Sequence, residues 1–271
     1  LPVRARGVGA SEERSPARAP TENGGDVSPH DRRVVIITGA SGGLGRATAL
    51  RFGLAGCRIV VHFYRNKESA DKLAGDLERL GSEVIVHRAD VRSLAEMKSM
   101  TETALSRWSR LDVLVANAAV RQDGLLLRTS EEAWDSTLKI NLTGIWNGLK
   151  AVGEQFIRQH GGHVIAIGSI AGVHGRAGQS NYASAKAGLT GLIRSVAAEW
   201  GPENVCLNVV FPGFQTTGMT TDLSKPMREE LTGRNLLGHP PPMAEVAEFI
   251  YCLSKMTGVS GQIFNLDSRM F

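Results

Sequence analysis

The stretch Thr38-Gly-Ala-Ser-Gly-Gly-Leu-Gly45 constrains this chain more than any other feature. It follows Val34-Val-Ile-Ile, a wholly apolar β-type run of the kind found in strands buried on both faces. It leads into a helical pattern that sets Leu44, Ala47, Leu50 and Leu54 on one face, with Gly56 after its end. Gly39, Gly43 and Gly45 let the backbone turn tightly and approach a ligand closely. A helix N-terminus behind such a turn offers free N–H groups and the positive end of its dipole, which suits a phosphate. The strand–turn–helix context separates a phosphate cradle from an ordinary glycine loop. The segment therefore predicts a dinucleotide site, with Ser41 and Leu44 of the turn among the contacts.

From Val34 onward the same rhythm repeats. Strand patterns run through 58–63, 83–88, 111–116, 163–168, 205–210 and 262–266. Between them, Asn66 can cap a helix striped by Ala70, Leu73, Leu77 and Leu80 and ended by Gly81. Ser93-Leu-Ala-Glu96 reads as a capping box. Thr129-Ser-Glu-Glu132 opens a long helix that continues to about Gln159, and further helices are expected near 183–200 and 243–255. Strands alternating with helices imply a parallel sheet covered on both faces. The expected fold is α/β, a Rossmann-type doubly wound parallel sheet of about seven strands in a single domain, residues 34–271. Residues 214–242 break the rhythm and are expected to form a substrate lobe above the carboxyl ends of the strands.

Residues 1–33 differ in kind: rich in Arg, Ala, Pro, Ser and Gly, without aromatics and without periodicity. They cannot bury enough apolar surface to offset the entropy of ordering, and a disordered tail is expected. The first residue is Leu, which implies processing or excision from something longer; the acids Glu12, Glu13, Glu22 and Asp26 argue against an organellar transit peptide. A cytoplasmic location is expected, with an organelle matrix as the alternative. The net charge of +4 and the lack of a basic, aromatic-interleaved helix argue against nucleic acid, and no apolar run is long enough for a membrane span. Cys57, Cys206 and Cys252 lie far apart, so neither a disulfide framework nor a metal site is expected.

Tyr182-Ala-Ser-Ala-Lys186 carries the chemistry. At i, i+4 on a helix the two side chains share one face. A tyrosine is ordinarily too weak an acid for neutral-pH catalysis, and a nearby ammonium favours its phenolate. Ser169 closes the fifth strand and so stands at the carboxyl edge of the sheet, beside the dinucleotide.

The spacing Gly-x-x-x-Gly-x-Gly with a leading Thr38 resembles that of the short-chain dehydrogenase/reductase family, and the likeness extends from about Arg33 to the C-terminus. By that resemblance Asn141, Ser169, Tyr182 and Lys186 form the catalytic set. Ser169 and Tyr182 polarise a carbonyl, Tyr182 donates the proton, Lys186 tunes Tyr182 and binds the nicotinamide ribose, and Asn141 holds a relay water. Asp90-Val91 resembles the pair at the adenine, and Pro212-Gly213 with the Gln215 backbone and Thr217 resembles the nicotinamide-side motif. Ala116-Asn117-Ala118-Ala119 is similar to the family's Asn-Asn-Ala-Gly with two substitutions; Asn117 is kept as a cofactor-side residue. The second strand ends in His62-Phe-Tyr-Arg-Asn-Lys67 with no acid to hold a ribose hydroxyl, and Arg65 can take a 2′-phosphate. NADP(H) is therefore expected over NAD(H).

Within the family, Gly178-Gln-Ser-Asn-Tyr182 and Pro212–Thr220 look most like the 3-oxoacyl-[acyl-carrier-protein] reductases of fatty acid biosynthesis, although Asn265-Leu-Asp-Ser-Arg269 replaces their usual Asp-Gly-Gly. The expectation is NADPH-dependent reduction of a 3-oxoacyl thioester, with an acyl-carrier protein as a candidate partner. Another small ketone, sugar or secondary alcohol is the alternative substrate, and a non-catalytic dinucleotide-binding subunit is the alternative class. Relatives of this kind form homotetramers, and Trp146, Leu149, Leu192 and Val196 are read as apolar residues beyond one buried face. Where those reductases place a docking arginine pair, this chain has His160 and Glu203, which implies that carrier docking is weak or differently placed.

Overall fold

The computed structural model describes residues 32–215, 217 and 224–269. The expected disordered tail lies outside the described residues as far as position 31, and so do 216 and 218–223 of the lobe. Arg32 and Arg33, placed at the end of that tail from sequence, are bonded to the fold: Arg33 donates to the Ser254 carbonyl (2.5 Å) and hydroxyl (3.1 Å), and Arg32 to the Gly81 carbonyl (3.3 Å).

Seven strands, β1 (Val34–Ile37), β2 (Arg58–Phe63), β3 (Val84–Arg88), β4 (Val113–Ala116), β5 (Gly162–Ile167), β6 (Val205–Phe211) and β7 (Ile263–Asn265), form one sheet. It is parallel throughout, in the order β3-β2-β1-β4-β5-β6-β7. The order reverses between β1 and β4, and a crevice opens there beyond the carboxyl ends. The continuous apolar runs are explained by the two faces. Val34, Ile36, Leu114, Ala116, Val164 and Ala166 point to one core, with α3 (Leu94–Trp108), α5 (Gly144–Arg158) and α7 (Ser180–Trp200). Val35, Ile37, Val113, Val115, Ile165 and Ile167 point to the other, with α1 (Gly43–Leu54), α2 (Lys67–Arg79) and α9 (Met243–Leu253).

Several local expectations are corrected. The buried side of α1 is Leu44, Thr48, Ala49 and Phe52, while Leu54 is exposed. Packing on α9 sets that rotation: the Phe52 and Tyr251 rings meet edge-on at 5.3 Å, and Arg51 pairs with Glu248. Leu80 caps α2 and is exposed rather than part of its stripe. Ser93 caps α3, but Glu96 reaches the Asp90 N–H (2.8 Å) instead of closing the box. Within Thr129-Ser-Glu-Glu132 it is Ser130 that caps α4 (Glu131–Leu138), while Thr129 is bonded to the Gly124 carbonyl (3.0 Å). The long helix is broken: a π turn, Lys139–Thr143, separates α4 from α5. Leu149 belongs to the monomer core, and Leu192 and Val196 pack against it; Trp146 stays exposed on α5.

Candidate active site

The turn after β1 is held from beneath. The Gly39 N–H donates to His62 Nδ1 (2.9 Å), and His62 Nε2 meets the Ala89 carbonyl (2.9 Å), bridging β1, β2 and the segment after β3. His62 is buried, and burial pushes its imidazole down to about 4, so the ring stays neutral with its proton on Nε2. Gly39 takes φ +64° and Gly43 φ +36°, conformations open to glycine. A Cβ on Gly45 would lie 2.3 Å from the Gly39 carbonyl oxygen and 2.7 Å from Asn117 Nδ2, so only glycine lets α1 begin this close to the turn.

Asn117 serves the same turn. Its amide donates to the Thr38 (2.9 Å) and Gly39 (3.2 Å) carbonyls, while the Thr38 hydroxyl accepts from the Asn117 (2.9 Å) and Ala118 (3.0 Å) N–H groups. Those bonds lock β1 to β4 through Asn117, one of the two residues that match the four-residue motif. Thr217 closes in from the far side: a Cβ on Gly43 would sit 2.6 Å from its methyl carbon. The Gln215 amide is bonded to the Pro212 (3.0 Å) and Pro241 (2.9 Å) carbonyls, which fixes the backbone after β6.

Beyond β2, the Tyr64 ring is ringed by Arg65, Arg88 and Arg92 at 5.8, 5.4 and 5.8 Å. Arg92 is also paired with Asp90 (2.6 Å), which holds that carboxyl below its ordinary range. The Val91 carbonyl accepts from buried Asn147 on α5 (2.8 Å).

α7 starts at Ser180, three positions earlier than its pattern suggests, which puts Tyr182 in the first turn. Buried Asn181 ties this end to the loop after β4 through the Gln122 carbonyl (3.0 Å) and to α4 through the Thr137 hydroxyl (3.2 Å). Gln179 bonds both oxygens of Asp123 (3.2 and 3.1 Å), and Asp123 pairs with Arg121 (3.3 Å). The short α6 (Ala171–His174) brings Ser169 down onto α7, and Gly172 permits it: a Cβ there would be 2.7 Å from the Ala187 nitrogen and 2.8 Å from the Lys186 carbonyl carbon.

Sequence reasoning expects Lys186 to draw the Tyr182 phenol down. Instead, burial raises Tyr182 above its ordinary value; the hydrogen bond with Ser169 and the charge of Arg121 oppose that rise, and Asp123 adds to it. Lys186 is buried, its Nζ lies 5.7 Å from the Tyr182 ring centroid, and it donates to the Ile167 carbonyl (2.6 Å). Desolvation pushes the ammonium down to about 8. Asn141 lies in the π turn, fully buried, with its amide paired to the Val120 peptide in both directions (2.8 and 2.9 Å). The Asn141 side chain is thus fully engaged, and the π turn displaces its main chain from regular helix.

All the expected residues except Gly45 and Asn141 line one cavity of about 960 Å³ above the sheet's switch point; those two sit just behind its wall. Sequence reasoning missed His62, Arg121 with Asp123, and the place of Arg176 in that wall. Only His62 left a signal, as a lone imidazole within the apolar stretch that follows Arg58 in β2.

A parallel sheet reversing over a glycine-lined cleft, with Ser169, Tyr182 and Lys186 in its wall, is the build of a dinucleotide-dependent oxidoreductase. A family model described as short chain dehydrogenase matches residues 33–228, and the chain belongs to that family of NAD(P)-dependent oxidoreductases. It is 36% identical over 238 residues to a 3-oxoacyl-[acyl-carrier-protein] reductase of Synechocystis sp., covering 88% of this chain and 96% of the relative. A reductase of the same description from Thermotoga maritima is 35% identical over 240 residues (88% and 97%), and one from Staphylococcus aureus 32% over 238 (87% and 97%). Among the described residues no helix is long and apolar enough to cross a membrane.

Proposed function

We propose that this protein reduces the ketone of a 3-oxoacyl thioester to the 3-hydroxyacyl product with NADPH. The observation that carries the reading is the meeting of Ser169 and Tyr182 above buried Lys186, in the cavity that also holds the glycine turn. When bound, the reduced nicotinamide supplies the hydride. The chain's own groups do the rest. The Ser169 hydroxyl and Tyr182 phenol donate hydrogen bonds to the carbonyl oxygen, where negative charge develops. The raised phenol stays protonated at neutral pH and is ready as the proton donor. Lys186 holds the ribose and restores the proton, with the Asn141 main chain placing the water behind it. Gly39, Ser41, Gly43, Leu44 and Gly45 cradle the pyrophosphate, Asp90 and Val91 flank the adenine, and the Gln215 backbone and Thr217 hold the carboxamide.

NADP(H) is favoured by the absence of an acid at the end of β2 and by Arg65 with its arginine neighbours around Tyr64. A homotetramer is supported by Trp146, left exposed on α5. The substrate class rests on the relatives' described activity. The test is initial rates on acetoacetyl-coenzyme A with NADPH and NADH, for wild type and Tyr182→Phe. The expected result is NADPH-dependent turnover, with the variant folded, cofactor-binding and at least about 100-fold slower. A variant with near-wild-type rates would overturn the mechanism; no turnover of any 3-oxoacyl thioester would overturn the substrate class.

A further inference from the structure

The cations lining the cavity are, with few exceptions, already neutralised. Arg92 is paired with Asp90 (2.6 Å), Arg121 with Asp123 (3.3 Å), Arg234 with Glu230 (2.6 Å), and Arg269 with Asp267. Lys186 donates to the Ile167 carbonyl (2.6 Å) beneath Tyr182. Arg65 leans on Tyr64 at the adenosine end. Arg176 stands apart from all of these. It lines the cavity in the loop between Ser169 and Tyr182 and is half-buried, and its guanidinium has no hydrogen-bond or ion-pair partner among the described residues.

Its backbone is not loose. The Arg176 carbonyl accepts from the Gln179 N–H (3.0 Å), and the Gly178 carbonyl accepts from the Gly124 N–H (2.8 Å), tying the loop to the segment after β4. Gly175 and Gly178, at φ +69° and +79°, shape the loop on either side. A guanidinium taken partly out of water without a counter-charge is unfavourable on its own. In a cleft with low-dielectric walls, it projects a field that concentrates anions. It presents five donors in a planar fork suited to carboxylate or phosphate oxygens. The dinucleotide's phosphates are accounted for at the other end of the cavity by the glycine turn, the α1 N-terminus and Arg65. The charge left for the substrate is that of Arg176.

We propose that Arg176 receives an anionic group, carboxylate or phosphate, that the substrate carries beyond its ketone. This rests on the reductase reading above and adds to it a specificity residue and a requirement on the substrate's charge. Two sources share that chemistry: the phosphates of a pantetheine-borne thioester and the carboxylate of a free 3-oxo acid.

The experiment compares wild type with Arg176→Gln on acetoacetyl-coenzyme A, free acetoacetate and the neutral ethyl acetoacetate. A charge-assisted hydrogen bond of about 1.5–3 kcal/mol corresponds to a roughly 10- to 100-fold loss of kcat/KM. The expected result is that loss, carried mainly by KM, on at least one anionic substrate, with ethyl acetoacetate within about twofold of wild type. Loss confined to the coenzyme A thioester assigns phosphate; loss confined to acetoacetate assigns carboxylate. Equal effects on neutral and anionic substrates, or none on any, overturn the proposal. Turnover-free binding of coenzyme A, acetoacetate and ethyl acetoacetate to the NADP⁺-saturated protein, in which neither partner has a hydride to transfer, read by thermal shift, separates the two readings. Arg176-dependent, anion-selective shifts without turnover of any ketone would sink the reductase reading and keep the anion site. Turnover without charge discrimination would do the reverse.

Discussion

Acid should destabilise this protein between pH 6.5 and 4, and His62 sets a measurable part of the slope. The imidazole is buried, accepts the Gly39 N–H at Nδ1 and meets the Ala89 carbonyl at Nε2, and burial holds it at about 4 against an ordinary 6.5. Above pH 6.5 the ring is neutral in both folded and unfolded chains, and its contribution is fully present. As pH falls through that window the unfolded chain takes up the proton and the folded one does not, so stability is lost until the folded ring also titrates. That shift corresponds to about 3 kcal/mol, lost at roughly 1.4 kcal/mol per pH unit. Against a typical total of about 5–15 kcal/mol this is a large fraction. His163, held near 4 chiefly by burial, and His87, also lowered, act in the same direction, so the comparison must be with a variant. The depressed carboxyl of Asp90 acts mainly below about pH 4, while that of Glu83, ordinarily near 4.5, adds loss in the same direction at the acid end of the window, which the comparison with the variant also cancels. The assay is urea unfolding at fixed protein concentration at pH 7, 6, 5 and 4.5, for wild type and His62→Gln. The variant should be about 1–3 kcal/mol less stable at pH 7, where it loses part of the bridge. Its pH slope should be shallower by about one proton. Parallel slopes for the two proteins would refute the reasoning.

Gly45→Ala should weaken NADPH binding by roughly tenfold or more, because its Cβ meets the Gly39 carbonyl at 2.3 Å; Gly42→Ala, with nothing within 4 Å, should not, and fluorescence titration distinguishes them. Arg65→Ala should raise KM for NADPH about tenfold and leave NADH nearly unchanged; equal losses with both cofactors would count against a 2′-phosphate contact. Sedimentation should show an assembly larger than a monomer that Trp146→Glu weakens, since Trp146 is exposed on α5; a wild-type monomer at micromolar concentration would rule the assembly out. His160 and Glu203 are paired to one another at 2.7 Å, leaving no arginine pair there. Carrier-linked and coenzyme A-linked 3-oxoacyl groups should therefore be reduced comparably at low salt. A carrier advantage that collapses with added salt would reveal a charged dock elsewhere.

The features legible in the sequence are those set by short-range rules. The apolar runs of β1 and β4, the glycine turn and the i, i+4 placing of Tyr182 and Lys186 depend on neighbours a few residues away, and they foretold the sheet and most of the residues that line the cleft. What tertiary structure decided came from pairs far apart in the chain. Phe52 rather than Leu54 faces inward because α9 docks there, and Asn117 is held by Thr38 across two strands. The π turn at Asn141 goes with the pairing of its buried amide to the Val120 peptide. The direction of Tyr182's acidity followed the same logic. Proximity to Lys186 argued for a lower value, but burial acts on the phenol directly, while the lysine's ammonium is bonded to the Ile167 carbonyl. Desolvation and charge pairing depend on everything that surrounds a group in space. For the same reason the uncompensated charge of Arg176 is set by the tertiary structure, which pairs Arg92, Arg121, Arg234 and Arg269 with acids and leaves Arg176 without one among the described residues.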